Sequence, residues 1–221
     1  MALDKALMDE ARQKLYSAVI SDVLDGHGNF DHAMGAHVRP VDESLVMVGT
    51  ARTGLYMDVY DVAPGENPYD VEIALIDDLR PGDVPVFSCP QSGRVAPWGE
   101  LLSTVAQVRG AAGAVMDGFA RDIRMIRQMG FPVFCGGINP LDSKGRAKMM
   151  RMDVPVMCGG VKVCPGDLLF GDVDGVVVVP QAMAETILRE AITKVSAENT
   201  VRDELRRGDS LKDVFARHGI L

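Results

Sequence analysis

Val176-Val177-Val178-Val179 is β-branched at every position, and Pro180 closes the run. Such side chains lose rotamer freedom on a helix and pack well on a pleated surface. No polar residue alternates through it, so the run fits a strand covered on both faces. Asp172-Val173-Asp174-Gly175 supplies the turn that leads in. A chain holding this segment has to build a sheet with material on each side. The 23 glycines and 12 prolines among its 221 residues argue equally against a helical bundle.

Two Pro-Gly-Asp turns, at 81–83 and 165–167, each feed a strand, 84–88 and 168–170. A shared turn type is a simpler source of that likeness than an internal repeat. Further strands are expected over 46–57, 110–118, 132–135 and 154–158. Residues 2–25 read as one or two amphipathic helices, with Ser21 and Asp22 capping the second. Helices are also expected over 68–79, from the Pro97-Trp98-Gly99-Glu100 opening to 108, and over 181–207. The last turns Ile187, Leu188, Ala191, Ile192 and Val195 inward. No low-complexity linker divides the chain, so 1–221 is expected to form one mixed α/β domain with strands in more than one layer.

The 31 acidic residues against 23 basic ones give a formal net charge of −8, which repels phosphate backbones and argues against nucleic-acid partners. Cys89, Cys135, Cys158 and Cys164 form no CxxC pair, and three of them sit in or beside apolar runs. They read as reduced, buried small residues of a cytoplasmic protein. The first twenty residues lack the pattern of a signal peptide, and no apolar window is long enough to span a membrane.

The strongest chemical signal is the stretch from Gly113 to Asp122, GAVMDGFARD. A strand ending in Asp-Gly and followed by Arg121-Asp122 sets two opposite charges beside a glycine that admits a ligand. Asp122 is a hard oxygen donor suited to Mg²⁺ or Mn²⁺, and Arg121 can grip a carboxylate or steady a developing enolate. The competing reading makes Asp122 a helix cap and Arg121 a solvated neighbour. Gly99-Glu100-Leu101-Leu102 opens a helix, whose free amides can hold a carboxylate while Glu100 acts as acid or base. The competing reading there is a first-turn glutamate favoured by the helix dipole. His27, His32 and His37 have the wrong spacing for a helical zinc pair, and the Asp172–Gly175 segment lacks the other calcium-loop positions.

Taken together, GELL, GAAGAVMDGFARD, FPVFCGG and VPVMCGGVKVCPGDLLFGDVDGVVVVP resemble the class II pyruvate aldolases of the 4-hydroxy-4-methyl-2-oxoglutarate aldolase type. That superfamily includes the regulator of ribonuclease E activity A. The similarity runs from about Ser21-Asp22 to the C-terminal helix. It implies a three-layer β/β/α swivelling domain, assembled as trimers or hexamers with sites between subunits and helix 181–207 at an interface. It implies a divalent-metal lyase that cleaves a 4-hydroxy-2-oxo acid to pyruvate and a second carbonyl compound, with oxaloacetate decarboxylation through the same enolate. By resemblance, Asp122 would ligate Mg²⁺ or Mn²⁺, Arg121 would meet the enolate oxygen, and Glu100 would hold metal-bound water. The amides at Gly99, Leu101 and Leu102 would bind the substrate carboxylate. Glu198 would reach a neighbouring subunit's metal through water. The alternative is a non-catalytic, ribonuclease-regulator-like binding oligomer; a third reading is a lyase or hydrolase on sugar-derived oxo acids. Neither Gly136–Pro140 nor the tail SLKDVFARHGIL carries a substrate signal.

Overall fold

The computed structural model describes residues 3–219. In chain order its elements are α1 (Lys5–Lys14), α2 (Ser17–Gly26), β1 (Arg39–Pro40), β2 (Met47–Asp58), α3 (Asp70–Asp77), β3 (Asp83–Ser88), α4 (Glu100–Val108), β4 (Ala114–Met116) and β5 (Phe119–Ala120). They continue as α5 (Ile123–Met129), β6 (Val133–Cys135), β7 (Gly137–Ile138), β8 (Ala147–Met152), β9 (Val156–Cys158), β10 (Val161–Val163), β11 (Leu168–Asp172), β12 (Gly175–Val179), α6 (Ala184–Arg206) and α7 (Leu211–His218).

The main sheet runs β1-β6-β4-β3-β2-β11-β12, with β8 also paired to β2. β2, β3, β4 and β6 are parallel neighbours in sequence order, joined through α3, α4 and α5. Those helices cover one stretch of the sheet, burying Leu75, Ile76, Phe87, Trp98, Ala106, Met116 and Ile126 in one cluster. α1, α2 and α6 cover the neighbouring stretch over Val48, Leu168, Phe170, Val177 and Val179. The alternate residues, Met47, Val84, Val86, Val115, Leu169, Val176 and Val178, turn to the other face and meet the β9–β10 hairpin. The valine run is therefore buried on both faces, and the α/β architecture has the expected three layers.

The sheet curls almost shut. Phe134 on β6 lies across the interior from β11, where a Cβ on Gly171 would stand 2.7 Å from its ring. Arg39 on β1 likewise approaches Gly175 on β12, at the far end of the strand order.

The two Pro-Gly-Asp turns are the same device used twice. Gly82 and Gly166 take φ of 88° and 90°, the left-handed conformation a type II turn requires. In each turn the Asp carboxylate accepts the amide three residues back, Asp83 from Arg80 and Asp167 from Cys164. One element start differs from expectation. Ser21 and Asp22 lie inside α2, which begins at Ser17. Its cap comes from far along the chain: the Asp172 carboxylate accepts both the amide and the hydroxyl of Ser17, at 2.8 and 2.7 Å. Cys89, Cys135 and Cys158 are buried free thiols. No helix among the described residues is long and apolar enough to cross a membrane.

Candidate active site

At the carboxyl ends of the parallel strands the chain leaves the sheet in loops, where an open α/β fold places its ligands. β4 ends at Met116, and β5 then pairs in parallel with β7, extending the path outward. Trp98 bridges Ala120, and its carbonyl accepts the Arg121 amide at 2.8 Å. Arg121-Asp122 is thereby clamped against the start of α4. Trp98 is fully buried, edge-on to Phe87 and stacked on Phe131, and its indole donates to Ser103 Oγ at 2.8 Å.

Asp122 occupies the position before α5, as the cap reading requires, but its side chain makes no cap hydrogen bond there. Its backbone is left-handed, with φ of 59°, which is uncommon outside glycine. That conformation sends the carboxylate across to α4, where Oδ2 accepts the Glu100 amide at 3.2 Å. Gly99 makes the approach possible, since a Cβ there would lie 2.6 Å from Asp122 Oδ2 and 3.2 Å from Arg121 Cγ. The strained backbone and the close glycine together build one tight corner from three sequence-predicted residues.

The first amide of α4 bonded to a backbone carbonyl is that of Ser103, to Gly99 at 3.1 Å. The amides of Leu101 and Leu102 stand ahead of it without such partners, in the orientation that holds a carboxylate. Glu100 Oε1 accepts the Thr104 hydroxyl at 3.1 Å. Arg121 lies 3.8 Å from Asp122 Oδ2 through Nε and 3.3 Å from Asp142 Oδ1 through Nη1. Asp142 in turn accepts the Tyr69 hydroxyl at 2.8 Å. Burial and that hydrogen bond push the Tyr69 phenol up to about 12, so it remains a donor.

Gly99, Glu100, Leu101, Leu102, Arg121 and Asp122 therefore come together. Glu198 does not join them within one chain: its carboxylate accepts the Tyr16 hydroxyl, on a helix packed against α1 and α2. The histidines form no cluster either, since His32 is committed to Ser21 Oγ and the Asn29 carbonyl, and His27 to Glu190. Among the described residues no group of three His, Cys, Asp or Glu side chains could enclose a metal. An ion at Asp122 would thus rest on one direct carboxylate, with water and ligand completing its shell, a coordination Mg²⁺ accepts.

Two neighbours of Arg121 escaped the sequence reading, Asp142 and Tyr69, and so did the buried acid Glu72. Glu72 is only 5% exposed and sits on the same face of α3 as buried Leu75 and Ile76. An acidic residue three and four positions from core leucine and isoleucine was the available signal. A cleft of about 820 Å³ opens at the opposite ends of the strands, lined by Met8, Val46, Pro81, Ala112 and Phe131 among others. Its charged groups are ordinary surface ones such as Asp9 paired with Arg12, so the candidate site is the Arg121-Asp122 corner.

Residues 17–178 match the model of the RraA-like family, described as Aldolase/RraA. A provisionally named 4-hydroxy-4-methyl-2-oxoglutarate aldolase of Halalkalibacterium halodurans is 36% identical over 184 residues, 83% of this chain and 81% of that protein. The solved structure of an uncharacterized Pseudomonas syringae protein superposes with a TM-score of 0.83 at 28% identity, covering 97% of this chain and 98% of that one. Streptomyces coelicolor RraAS2, described as an unusual member of the RNase ES inhibitor RraA protein family, gives a TM-score of 0.79 at 28% identity over 91% and 98% of the two chains.

Proposed function

Since the chain belongs to the RraA-like, Aldolase/RraA family, we propose that it is a divalent-metal-dependent lyase. In this reading it cleaves a 4-hydroxy-2-oxo acid to pyruvate and a second carbonyl compound, and decarboxylates oxaloacetate at the same site. The observation that carries the reading is the Gly99–Arg121–Asp122 corner, where a strained aspartate is held against a glycine at a helix start. The aldolase-named relative supports the reaction class. Asp122 would hold Mg²⁺ or Mn²⁺, with Glu100 meeting it through water, and the ion would supply electrophilic pull on the substrate's 2-oxo oxygen.

The chain's own groups do the rest. The Leu101 and Leu102 amides, with Gly99 leaving room, hold the substrate carboxylate at the α4 start. Arg121 donates to the 2-oxo oxygen and binds more strongly as enolate charge develops there, which lowers the barrier. In retro-aldol cleavage the C3–C4 bond breaks, and the C4 hydroxyl proton passes to water held by Glu100. A proton returns to C3 to give pyruvate. In oxaloacetate the bond from C3 to the C4 carboxylate breaks instead, CO2 leaves with the electron pair passing into the enolate, and the same protonation at C3 follows.

The whole of 1–221 acts as one unit, a cytoplasmic homotrimer or hexamer with the 181–207 helix, α6, at an interface where Glu198 serves a neighbouring site. Exposed Leu101, Met125 and Ile138 around the corner support a covering partner. The Streptomyces coelicolor structure favours a second reading, a non-catalytic regulator that binds a protein through its surface. Assay of pyruvate release from 4-hydroxy-4-methyl-2-oxoglutarate and from oxaloacetate, with Mg²⁺ or Mn²⁺ and after chelation, separates the two. The lyase releases pyruvate only with metal. A folded oligomer inert toward both substrates is the regulator.

A further inference from the structure

The cleft at the opposite ends of the strands holds no catalytic residue, but it is built from the far ends of the two helices that make the corner. α4 begins at Glu100 and runs toward Gln107, Gly110 and Ala111; α5 begins after Asp122 and runs to Gly130 and Phe131. All five of those closing residues line the cleft. At their starts the helices are pinned together by the Asp122 carboxylate on the Glu100 amide. At their ends the Gln107 side-chain amide donates to the Met129 carbonyl at 3.1 Å. With a rise of 1.5 Å per residue, each helix spans only about 10–14 Å between the two pins. A second path runs through the core: Phe131 stacks on Trp98 with ring centroids 6.5 Å apart, and the Trp98 carbonyl accepts the Arg121 amide at 2.8 Å.

The walls define what fits. One is α1, whose Lys5, Met8, Asp9 and Arg12 recur at helical spacing and share a face. The rest is largely apolar, with Val46, Pro81 and Ala112 among it. Arg12 is anchored through Nη2 on the Val48 carbonyl at 3.2 Å, while its Nη1 lies 4.0 Å from Asp9, too far for a hydrogen bond, and is left to meet an anion. Lys5 is exposed at the rim. Two cations against one carboxylate favour a single negative charge. The turn amides of Gly82 and Gly166, which would suit a phosphate, donate to the Gly110 and Ala51 carbonyls instead. A volume of about 820 Å³ is enough to enclose a small organic molecule. We propose that the cleft is an effector site for an amphipathic monocarboxylate, with its chain between α1 and the 110–112 and 130–132 loops and its charge at Lys5 and Arg12. A body lodged between the helix ends strains the Gln107–Met129 pin, and two short helices pass the shift to the Glu100–Asp122 contact.

The site stands apart from the lyase reading, and only its effect on turnover rests on that reading. Decanoate is the probe, titrated into the metal-free protein and followed by calorimetry and by the fluorescence of Trp98 behind Phe131. Saturable binding is expected for decanoate and not for decyltrimethylammonium, which carries the same chain and the opposite charge. It should weaken about tenfold in Lys5→Glu/Arg12→Gln at matched Tm. Equal binding in that variant, equal binding of the cationic chain, or no binding at all overturns the inference and leaves the lyase untouched. The second measurement follows kcat/KM for Mg²⁺-dependent oxaloacetate decarboxylation with and without decanoate. Occupancy should lower it about fivefold in wild type, and the double variant should be spared at the same concentration. Unchanged turnover with the cleft occupied overturns the effector role, and so does an equal fall in the variant, which would place decanoate at the corner. Binding by a folded protein inert toward oxaloacetate upholds the site and sinks the lyase reading instead.

Discussion

Glu72→Gln should make the protein more stable at alkaline pH and leave it nearly unchanged at acid pH. The carboxyl's ordinary pKa is 4.5 and burial raises it to about 7 in the fold. A raised carboxyl favours the folded state while protonated, so its contribution is complete below 4.5 and is lost as pH climbs through 7. Integrating between those limits, wild type forfeits about 2.5 kcal/mol between pH 5 and pH 8 that the amide, which cannot ionise, retains. For a chain of this size that corresponds to roughly 5–10 °C in Tm. Thermal melts of both proteins, read by circular dichroism across that range, provide the assay, because glutamine is close in shape to the neutral acid. The two curves should lie closest near pH 4, separate most steeply between pH 5 and pH 7, and run parallel above pH 8. Parallel curves at every pH would mean that Glu72 ionises as readily in the fold as outside it, and the burial argument would fail.

Gly99→Ala is expected to keep the fold but lose most activity, since its Cβ would meet Asp122 Oδ2 at 2.6 Å; unchanged kcat/KM for oxaloacetate would refute that close approach. Arg121→Lys keeps the charge but not the planar fork, and should lower kcat about 10²-fold with Tm little changed. A loss confined to KM would show that Arg121 only gathers substrate. Trp98 is the chain's one tryptophan, and its carbonyl is bonded to Arg121. Its fluorescence should therefore respond to Mg²⁺ plus pyruvate in wild type and not in Asp122→Ala, and an equal response in both would place binding elsewhere.

The sheet-forming segments could be read because their signals are local: β-branched runs, Pro-Gly-Asp turns and helix faces. Residues 168–170 and 176–179 correspond to β11 and β12, and 100–108 to α4. What escaped depends on distant partners. The start of α2 was misplaced because Asp172, far along the chain, supplies its cap. β8 went unnoticed because AKMMRM is made of long unbranched side chains and becomes a strand by pairing with β2. The Arg121-Asp122 corner was visible as a charge pair at a strand end, yet nothing local announces a left-handed aspartate or its bond to the Glu100 amide. Asp142 and Tyr69 reach the site from loops. Glu72 was concealed by expectation, since glutamate in an amphipathic helix ordinarily marks the solvent face.

Asp122 carries the account, and the most direct measurement is pyruvate release from oxaloacetate with Mg²⁺ or Mn²⁺, by wild type and Asp122→Ala at matched folding and oligomeric state. Metal-dependent turnover in wild type should fall at least 10²-fold in the variant, on the order expected for loss of a group acting in the transition state. Equal turnover in the two proteins, or none in wild type with either metal, would contradict it.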